Sequence, residues 1–337
     1  MGRNPTLADI AARTGYGTNT VSLALRGSTR ISEKARNSVQ AAAMALDYVP
    51  NNHAKSLVLN KSQTVGMILQ DITNPLMNSV GKALQLELAR RGYAVLFATN
   101  ETTANEDRAI EMFRARMVDG LLIYPLDHKR LDHLRRLRSH NFPVVLLIGS
   151  DNVHLDAVGI DEFRGAYDAT THLIALGHRH IGAIVRTDSN TEKLEGFRHA
   201  HKVHGIPLGD TQVVAIAQNS VAFGIEAMDV LTAREPRITA VFAATDVLAL
   251  GVLRWAHLNN IHVPRDLSVV GFDNIEAAEY AVTSLTTVTN DITQAARSAV
   301  DRLLVLIEAE GTLPPPESKL LRGDLVVRES SARRKDD

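Results

Sequence analysis

The sequence of 337 residues contains no cysteine. This absence excludes disulfide bonds, metal sites with thiolate ligands, iron–sulfur clusters and cysteine nucleophiles. Aromatic residues make up only 4% of the chain, so few rings are present to line a binding pocket. With 45% hydrophobic and 22% charged residues, the composition is otherwise that of an ordinary globular protein.

The chain also lacks a long hydrophobic run. No apolar stretch approaches the roughly 20 residues that cross a lipid bilayer. The N-terminal residues lead directly into a polar, capped helix pattern instead of a signal peptide. We therefore expect a cytoplasmic protein that makes no contact with a membrane.

Charge is distributed unevenly along the chain. Residues 1–62 contain eight Lys or Arg against three Asp or Glu, a net charge of +5. The whole chain carries −1, so the remaining residues carry −6. A basic N-terminal segment on an acidic body favours a nucleic-acid-binding module attached to a domain with a different ligand.

The N-terminal segment has the pattern of two short helices joined by a turn. Thr6 is a helix-capping residue, and the apolar residues after it are spaced for a helix that ends at Gly15–Gly17. A second helix begins at Thr18 and has Val21 and Ala24 on one apolar face. This arrangement is typical of a helix-turn-helix whose second helix enters the major groove. The alternative is a pair of helices inside a larger helical core, and the basic charge favours DNA binding.

From residue 63 onward, short apolar runs alternate with amphipathic helical stretches such as 80–91 and 106–117. This alternation predicts parallel sheets built from βα units. The runs form two series, which predict two similar α/β lobes with a ligand cleft at the carboxyl ends of their strands. The predicted strands are 65–69, 94–97, 120–123 and 144–148 in the first series, and 181–185, 213–216, 240–243 and 267–272 in the second.

Several motifs in this order resemble the lactose-repressor/galactose-repressor (LacI/GalR) family of transcriptional regulators. They are Thr6–Ala11, Thr20–Ser22, Tyr48–Asn51, Asp71–Pro75, Val118–Leu121, Leu176–Ile181, Ser268–Asp273 and Leu325–Ser330. The resemblance runs from end to end. It implies a ligand-responsive repressor that binds a pseudo-palindromic operator as a homodimer, with a helix-turn-helix headpiece, a hinge helix and a two-lobed periplasmic-binding-protein-like core.

The resemblance also implies the domain boundaries. We expect a headpiece at 1–50, a hinge helix and linker at 51–62 and an effector-binding, dimerising core at 63–337. In the family the chain passes between the lobes three times. This implies an N-terminal lobe of about 63–159 plus 290–320 and a C-terminal lobe of about 160–289 plus 321–330.

The hinge segment matches the family at 51–58. At about two turns it is too short to form a stable helix alone in water, so we expect it to order on DNA. Leu57 then resembles the family's minor-groove wedge. The alternative is a linker residue that packs on its own core.

The resemblance places a set of side chains at the DNA. Asn19 can bind an adenine edge, whereas Leu23 stands where a guanine-reading Arg is frequent and offers only contact to a thymine methyl. Thr20 and Ser22 are expected to hold phosphates. The complete expected set is Thr6, Thr18, Asn19, Thr20, Ser22, Leu23, Arg26, Asn51, His53, Ala54, Lys55 and Leu57.

The effector site departs from the family's sugar sensors. Lys193 stands where an Arg is common, and aliphatic residues stand where aromatic rings are frequent. We therefore expect a small or anionic metabolite or a sugar derivative. Asp273 at a strand end is expected to contact it, although it could instead cap the following turn. The expected set is Asp71, Leu76, Met77, Ile148, Lys193, Asn219, Thr245, Asp246, Asp273 and Ile292.

Two other classes of protein compete with a regulator. A transport-binding protein would account only for the two lobes, and it would need an export signal, which the sequence does not show. An enzyme would rest on the α/β core, yet the sequence has no P-loop, dinucleotide fingerprint or nucleophile elbow. His199, His201 and His204 lack the spacing of a zinc helix, so we predict no metal and no cofactor. The basic tail is expected to be solvated.

Overall fold

The structure, a computed structural model, describes residues 5–49, 61–149, 154–186 and 191–334. The chain divides into two compact units, Met1–Ser62 and Gln63–Asp337, which we call the head and the core. Within the described ranges, no helix is both long and apolar enough to cross a lipid bilayer.

The head contains three helices, α1 (Leu7–Thr14), α2 (Thr18–Leu25) and α3 (Glu33–Ala45). Thr6 and Asp9 form a capping box at the start of α1, in which the Thr6 backbone N–H and hydroxyl donate to the carboxylate at 2.7 Å. Gly15 ends the helix at a φ of 75°, a left-handed conformation that favours glycine.

A small apolar core joins the three helices of the head. Its buried members are Ile10, Val21, Ala24, Val39, Ala42 and Ala43. α2 contributes Val21 and Ala24 to this core, and Leu25 packs against it, whereas Thr18, Asn19 and Leu23 of the same helix are exposed.

The first sheet of the core has the strand order β11-β5-β4-β3-β1-β2, and its strands are all parallel. The strands are β1 (Thr64–Leu69), β2 (Ala94–Thr99), β3 (Gly120–Ile123), β4 (Val144–Leu146), β5 (Asp156–Ile160) and β11 (Ser318–Leu321). The helices of this lobe are α4 (Pro75–Arg90), α5 (Thr103–Ala115), α6 (Asp132–Ser139) and α12 (Ile292–Glu308).

The second sheet has the order β12-β10-β9-β8-β6-β7. It is parallel except for the edge strand β12, which pairs antiparallel with β10. The strands are β6 (Ile181–Arg186), β7 (Val213–Ile216), β8 (Ala240–Ala243), β9 (Ser268–Asp273), β10 (Thr286–Thr289) and β12 (Asp324–Val326). The helices are α7 (Glu162–Ala175), α8 (Thr191–Val203), α9 (Val221–Arg234), α10 (Asp246–Leu258) and α11 (Glu276–Tyr280).

The chain passes between the two sheets at three places. It leaves the first lobe after β5, returns between β10 and α12, and leaves again between β11 and β12. Apolar clusters lie on both faces of each sheet, which is why the central strands are hydrophobic throughout. The three passages bring the carboxyl ends of strands from both sheets to one cleft.

Candidate functional site

A cavity lies between the two lobes of the core, at the carboxyl ends of their strands. It contains about 810 Å³ of space, including the solvent at its mouth. The two sides of the cavity differ in chemistry.

The side formed by the first lobe is aliphatic. The side chains that represent it are Leu76, Met77, Val80, Ile148, Ile292 and Ala295. Leu76 and Met77 lie in the first turn of α4, where Asn74 caps the helix by accepting a hydrogen bond from the Leu76 backbone N–H at 3.0 Å. This side is therefore mainly aliphatic and can bury an apolar group, and Tyr124 and His128 add one ring each to it.

The side formed by the second lobe is acidic. Glu162 begins α7 directly after β5, Glu192 lies in the first turn of α8, and Asp273 ends β9. Each of these carboxyl groups lies at the end of a strand or near the start of a helix. The fold thereby brings together Glu162 and Asp273, which are more than 100 positions apart in the sequence. The arrangement supplies hydrogen-bond acceptors to whatever occupies the cavity.

Asp273 has an unusual conformation and environment. Its φ of 113° is one that residues other than glycine rarely adopt, and such conformations concentrate at functional sites. Burial raises the pKa of its carboxyl group to about 8. Among the described residues, its Oδ1 atom accepts no hydrogen bond, and neither does the Oδ1 atom of Asn290, which also lines the cavity.

Lys193 lies behind this acidic side and does not line the cavity. Its side chain is 4% exposed. The ammonium group donates to the Ala244 carbonyl at 3.0 Å, and Glu162 and Asp273 lie 3.5 and 3.7 Å away. Burial opposes the charged form, yet these two carboxylates raise the pKa of Lys193 above its usual value.

Asp246 holds the turn that follows Asp273. Its carboxylate accepts hydrogen bonds from the Thr287 hydroxyl at 2.5 Å and the Ile275 backbone N–H at 2.9 Å. Burial raises its pKa to about 7. Thr245, which caps α10, donates to Asn219 at 2.6 Å. These three predicted effector residues therefore support the site from outside its lining.

The structure gathers half of the predicted effector set at the cavity. The lining includes Leu76, Met77, Ile148, Asp273 and Ile292. Asp71 does not join them, because it is exposed and its carboxylate accepts hydrogen bonds from the Thr73 backbone N–H and hydroxyl.

Sequence reasoning missed five polar residues that line the cavity: Tyr124, His128, Glu162, Glu192 and Asn290. A usable signal was present for three of them. Tyr124 follows β3, Glu162 follows β5 and Asn290 follows β10, all at the carboxyl ends of parallel strands, where ligands of such folds bind.

The exposed surface of α2 is the second candidate site. Thr18, Asn19, Leu23 and Arg26 are exposed, with 38% of Leu23 accessible. Thr20 and Ser22 are half-buried, and the Thr6 hydroxyl donates a hydrogen bond to the Asp9 carboxylate. The remaining residues of the expected DNA-binding set lie outside the described residues: Asn51, His53, Ala54, Lys55 and Leu57.

Comparison with known proteins matches both units. Residues 6–51 match the family described as bacterial regulatory proteins, lacI family, and residues 170–331 match a periplasmic binding protein-like domain. The chain is 31% identical over 339 residues to the HTH-type transcriptional regulator CelR of Thermobifida fusca, which covers 97% of this chain and 98% of that relative.

Two solved structures have the same fold. The lac repressor dimer bound to operator and the anti-inducer ONPF superposes with a TM-score of 0.86 at 26% identity, covering 98% of this chain and 100% of that one. The complex of the transcriptional regulator CelR with cellobiose gives a TM-score of 0.73 at 29% identity, covering 97% and 100%. With its exposed second head helix and its two-lobed core, the chain belongs to the LacI family of bacterial transcriptional regulators.

Proposed function

We propose that this protein is a repressor that binds a pseudo-palindromic operator as a homodimer and releases or holds it according to a small molecule bound in the core. The observation that carries the proposal is the surface of α2. Val21 and Ala24 are fully buried, whereas Thr18, Asn19 and Leu23 on the same helix are exposed. A helix that is packed on one side and polar on the other is suited to the major groove.

The side chains of α2 divide by role. Asn19 binds the edge of an adenine through two hydrogen bonds, and Leu23 contacts a thymine methyl group. Thr20 and Ser22, together with Thr6 and Arg26, hold phosphates and so fix the register of the head on the duplex. The net charge of +5 in residues 1–62 supplies the non-specific attraction to DNA.

The three-part division of the chain belongs to the same proposal. Residues 1–50 bind the major groove, 51–62 connect and enter the minor groove, and 63–337 bind the effector and dimerise. Such a regulator acts on DNA in the cytoplasm and performs no catalysis. The lac repressor dimer bound to operator, with which the chain superposes over nearly its whole length, supports this reading.

Base recognition is tested by selecting DNA from a random pool with the purified protein. Leu23→Arg should change one base pair of the selected half-site from a thymine to a guanine, because a guanidinium binds the O6 and N7 atoms of guanine. The head should stay folded, because Leu23 is outside its core. Selection of no consensus by the unchanged protein would contradict sequence-specific binding.

The effector site is tested through Asp273. Asp273→Ala should weaken the effect of a ligand on operator binding by roughly tenfold, since loss of one partner of a buried hydrogen bond costs about 1–3 kcal/mol. Operator affinity without ligand should hardly change. Glu310→Ala, at an exposed position outside the cavity lining, is the matched control. Equal responses in both variants would remove Asp273 from the site.

A further inference from the structure

The ammonium group of Lys193 is not free to pair with a ligand. It lies on α8 and is buried, and its ammonium group is surrounded by protein groups on several sides. Besides the Ala244 carbonyl and the carboxylates of Glu162 and Asp273, the ring of Phe272 lies with its centre 4.0 Å from Nζ. The Ala244 carbonyl accepts one N–H of the ammonium group, and the two carboxyl groups and the ring surround the rest of it.

Moving the ammonium group of Lys193 out of this environment would be unfavourable in free energy. A buried charge without a partner is destabilising by several kcal/mol, so the protein must supply partners in the absence of any ligand. Turning Nζ toward the cavity would break its hydrogen bond to the Ala244 carbonyl. The observed arrangement is therefore favoured whether or not an effector is present.

The charged side chains that line the cavity, among the described residues, are all acids, and Tyr124, His128 and Asn290 are its other polar residues. Among the described residues that line it, none is Lys or Arg, whereas three are carboxylic acids. The Oδ1 atoms of Asp273 and Asn290 are buried and receive no hydrogen bond from the described residues. Buried acceptors of this kind are satisfied when a ligand donates to them.

We infer that Lys193 is a positioning residue, a buried counterion that holds Glu162 and Asp273 side by side, and that the cavity consequently selects effectors by their hydrogen-bond donors and rejects anions. This inference rests on the proposed effector site and names its ligand class as uncharged or cationic molecules that carry hydroxyl or amino groups. It reverses the preference for an anionic ligand that the sequence suggested.

The charged groups near Lys193 come from several elements. Glu162 approaches from α7, Asp273 from β9 and Asp246 from α10, and Glu192 precedes the lysine on α8. Arg186, at the end of β6, is close enough to act on Tyr124 at the cavity. Carboxyl groups thus outnumber cations around the ammonium group. The stabilising effect of Lys193 therefore depends on pH, through the ionisation of these groups.

The first test measures thermal unfolding of the full chain against pH for Lys193→Met. Loss of the counterion should lower the melting temperature by several degrees more at pH 9, where Asp273 is ionised, than at pH 5.5, where it holds a proton. Lys193→Arg should recover part of the loss at pH 9, and so should the double variant Lys193→Met/Glu162→Gln. A loss that is the same at both pH values, with no recovery, would overturn the inference.

A second measurement uses the unchanged protein and does not depend on a variant that folds. Amine labelling followed by mass spectrometry at pH 8, without ligand, should modify Lys193 at least about tenfold more slowly than Lys202. Lys202 is the matched control because it lies on the same helix and is exposed. Equal labelling rates would show an open lysine and overturn the inference.

The third measurement addresses the ligand class. Inorganic phosphate and D-gluconate, as anionic probes at fixed ionic strength, should leave the melting temperature within about 1 °C. A rise of several degrees in the unchanged protein that disappears in Lys193→Met would mean that the lysine binds anions, against the inference. Operator binding is measured separately, so a failure of the proposed regulator function is distinguishable from a failure of this assignment.

Discussion

At the residue scale, the carboxylate of Asp156 has no contact with solvent and lies between two guanidinium groups. Nε of Arg138 is 2.8 Å from Oδ2, and Nε of Arg302 is 2.6 Å from Oδ1. The same arginines donate to the carbonyls of Pro314 and Pro315. One buried acid therefore joins α6, β5, α12 and the segment that leads to β11.

Replacing this acid should be costly. Asp156→Asn should lower the free energy of unfolding of the core by about 3–5 kcal/mol, because two largely buried arginines lose their counterion. Urea denaturation of the full chain measures the change. The matched control is Asp301→Asn, which breaks an exposed ion pair with Arg91 and should have little effect on the free energy of unfolding. Similar losses in both variants would refute a special role for Asp156.

Asp273 should make the stability of the core depend on pH in the opposite sense to an ordinary acid. Its folded pKa of about 8 lies above the value near 3.9 expected in the unfolded chain. The unfolded state therefore releases its proton first, and stability falls as the pH rises from about 4 to 8. Asp273→Asn should gain at least about 1 kcal/mol relative to the unchanged protein between pH 5 and pH 9 in denaturation experiments. A constant difference would contradict the buried, protonated carboxyl group.

Asp273 and Lys193 show how much of the effector site could be predicted from the sequence. The position of Asp273 at a strand end was enough to predict it at the cleft. Lys193 was expected at the site because it stands where an Arg is common in the family, and that resemblance cannot tell a lysine that faces a cavity from one that lies behind it. That distinction is set by Glu162 and the Ala244 carbonyl, which are brought near Lys193 only by folding.

At the scale of elements, α7 and α8 approach each other closely at Gly196. A Cβ atom at this position would lie 2.2 Å from the Phe163 carbonyl oxygen and 3.0 Å from the Tyr167 nitrogen. The contact matters for the site because α7 begins with Glu162 and α8 carries Lys193. The spacing of the two helices thus sets the spacing of their charged groups.

Widening this contact should affect stability and the site together. Gly196→Ala should destabilise the core by about 1–3 kcal/mol, because backbone atoms must move apart. It should also speed amine labelling of Lys193. Gly209→Ala is the control, since its Cβ would meet nothing closer than 3.6 Å. Normal stability in Gly196→Ala would mean that the helices separate at no cost.

The elements that the sequence predicted were those with continuous apolar runs, such as β1, β3 and β8. Two of the strands it missed carry buried polar groups. β5 begins with Asp156, which the arginine pair makes compatible with burial. β10 is Thr286–Thr289, and the hydroxyl of Thr287 is satisfied by Asp246. Hydrogen bonds to residues that are distant in the sequence therefore allow these polar segments to form strands.

At the scale of the whole molecule, we expect the core to fold without the head. Residues 63–337 alone should form a dimer that unfolds cooperatively and still binds the effector, because the core has its own apolar clusters. Operator binding should be lost along with the basic segment. Light scattering after gel filtration and a gel shift measure both. An insoluble or monomeric fragment would contradict the proposed division.

The two edge strands β11 and β12 are separated by only Arg322 and Gly323, yet they complete different sheets. Residues 318–326 therefore serve both lobes, and neither lobe corresponds to one continuous stretch of the gene. A ribosome must translate as far as β12 before both sheets can be completed. A stop codon just before position 318 should then abolish the protein as thoroughly as an early one, and exchange of lobes between relatives requires joints at all three passages.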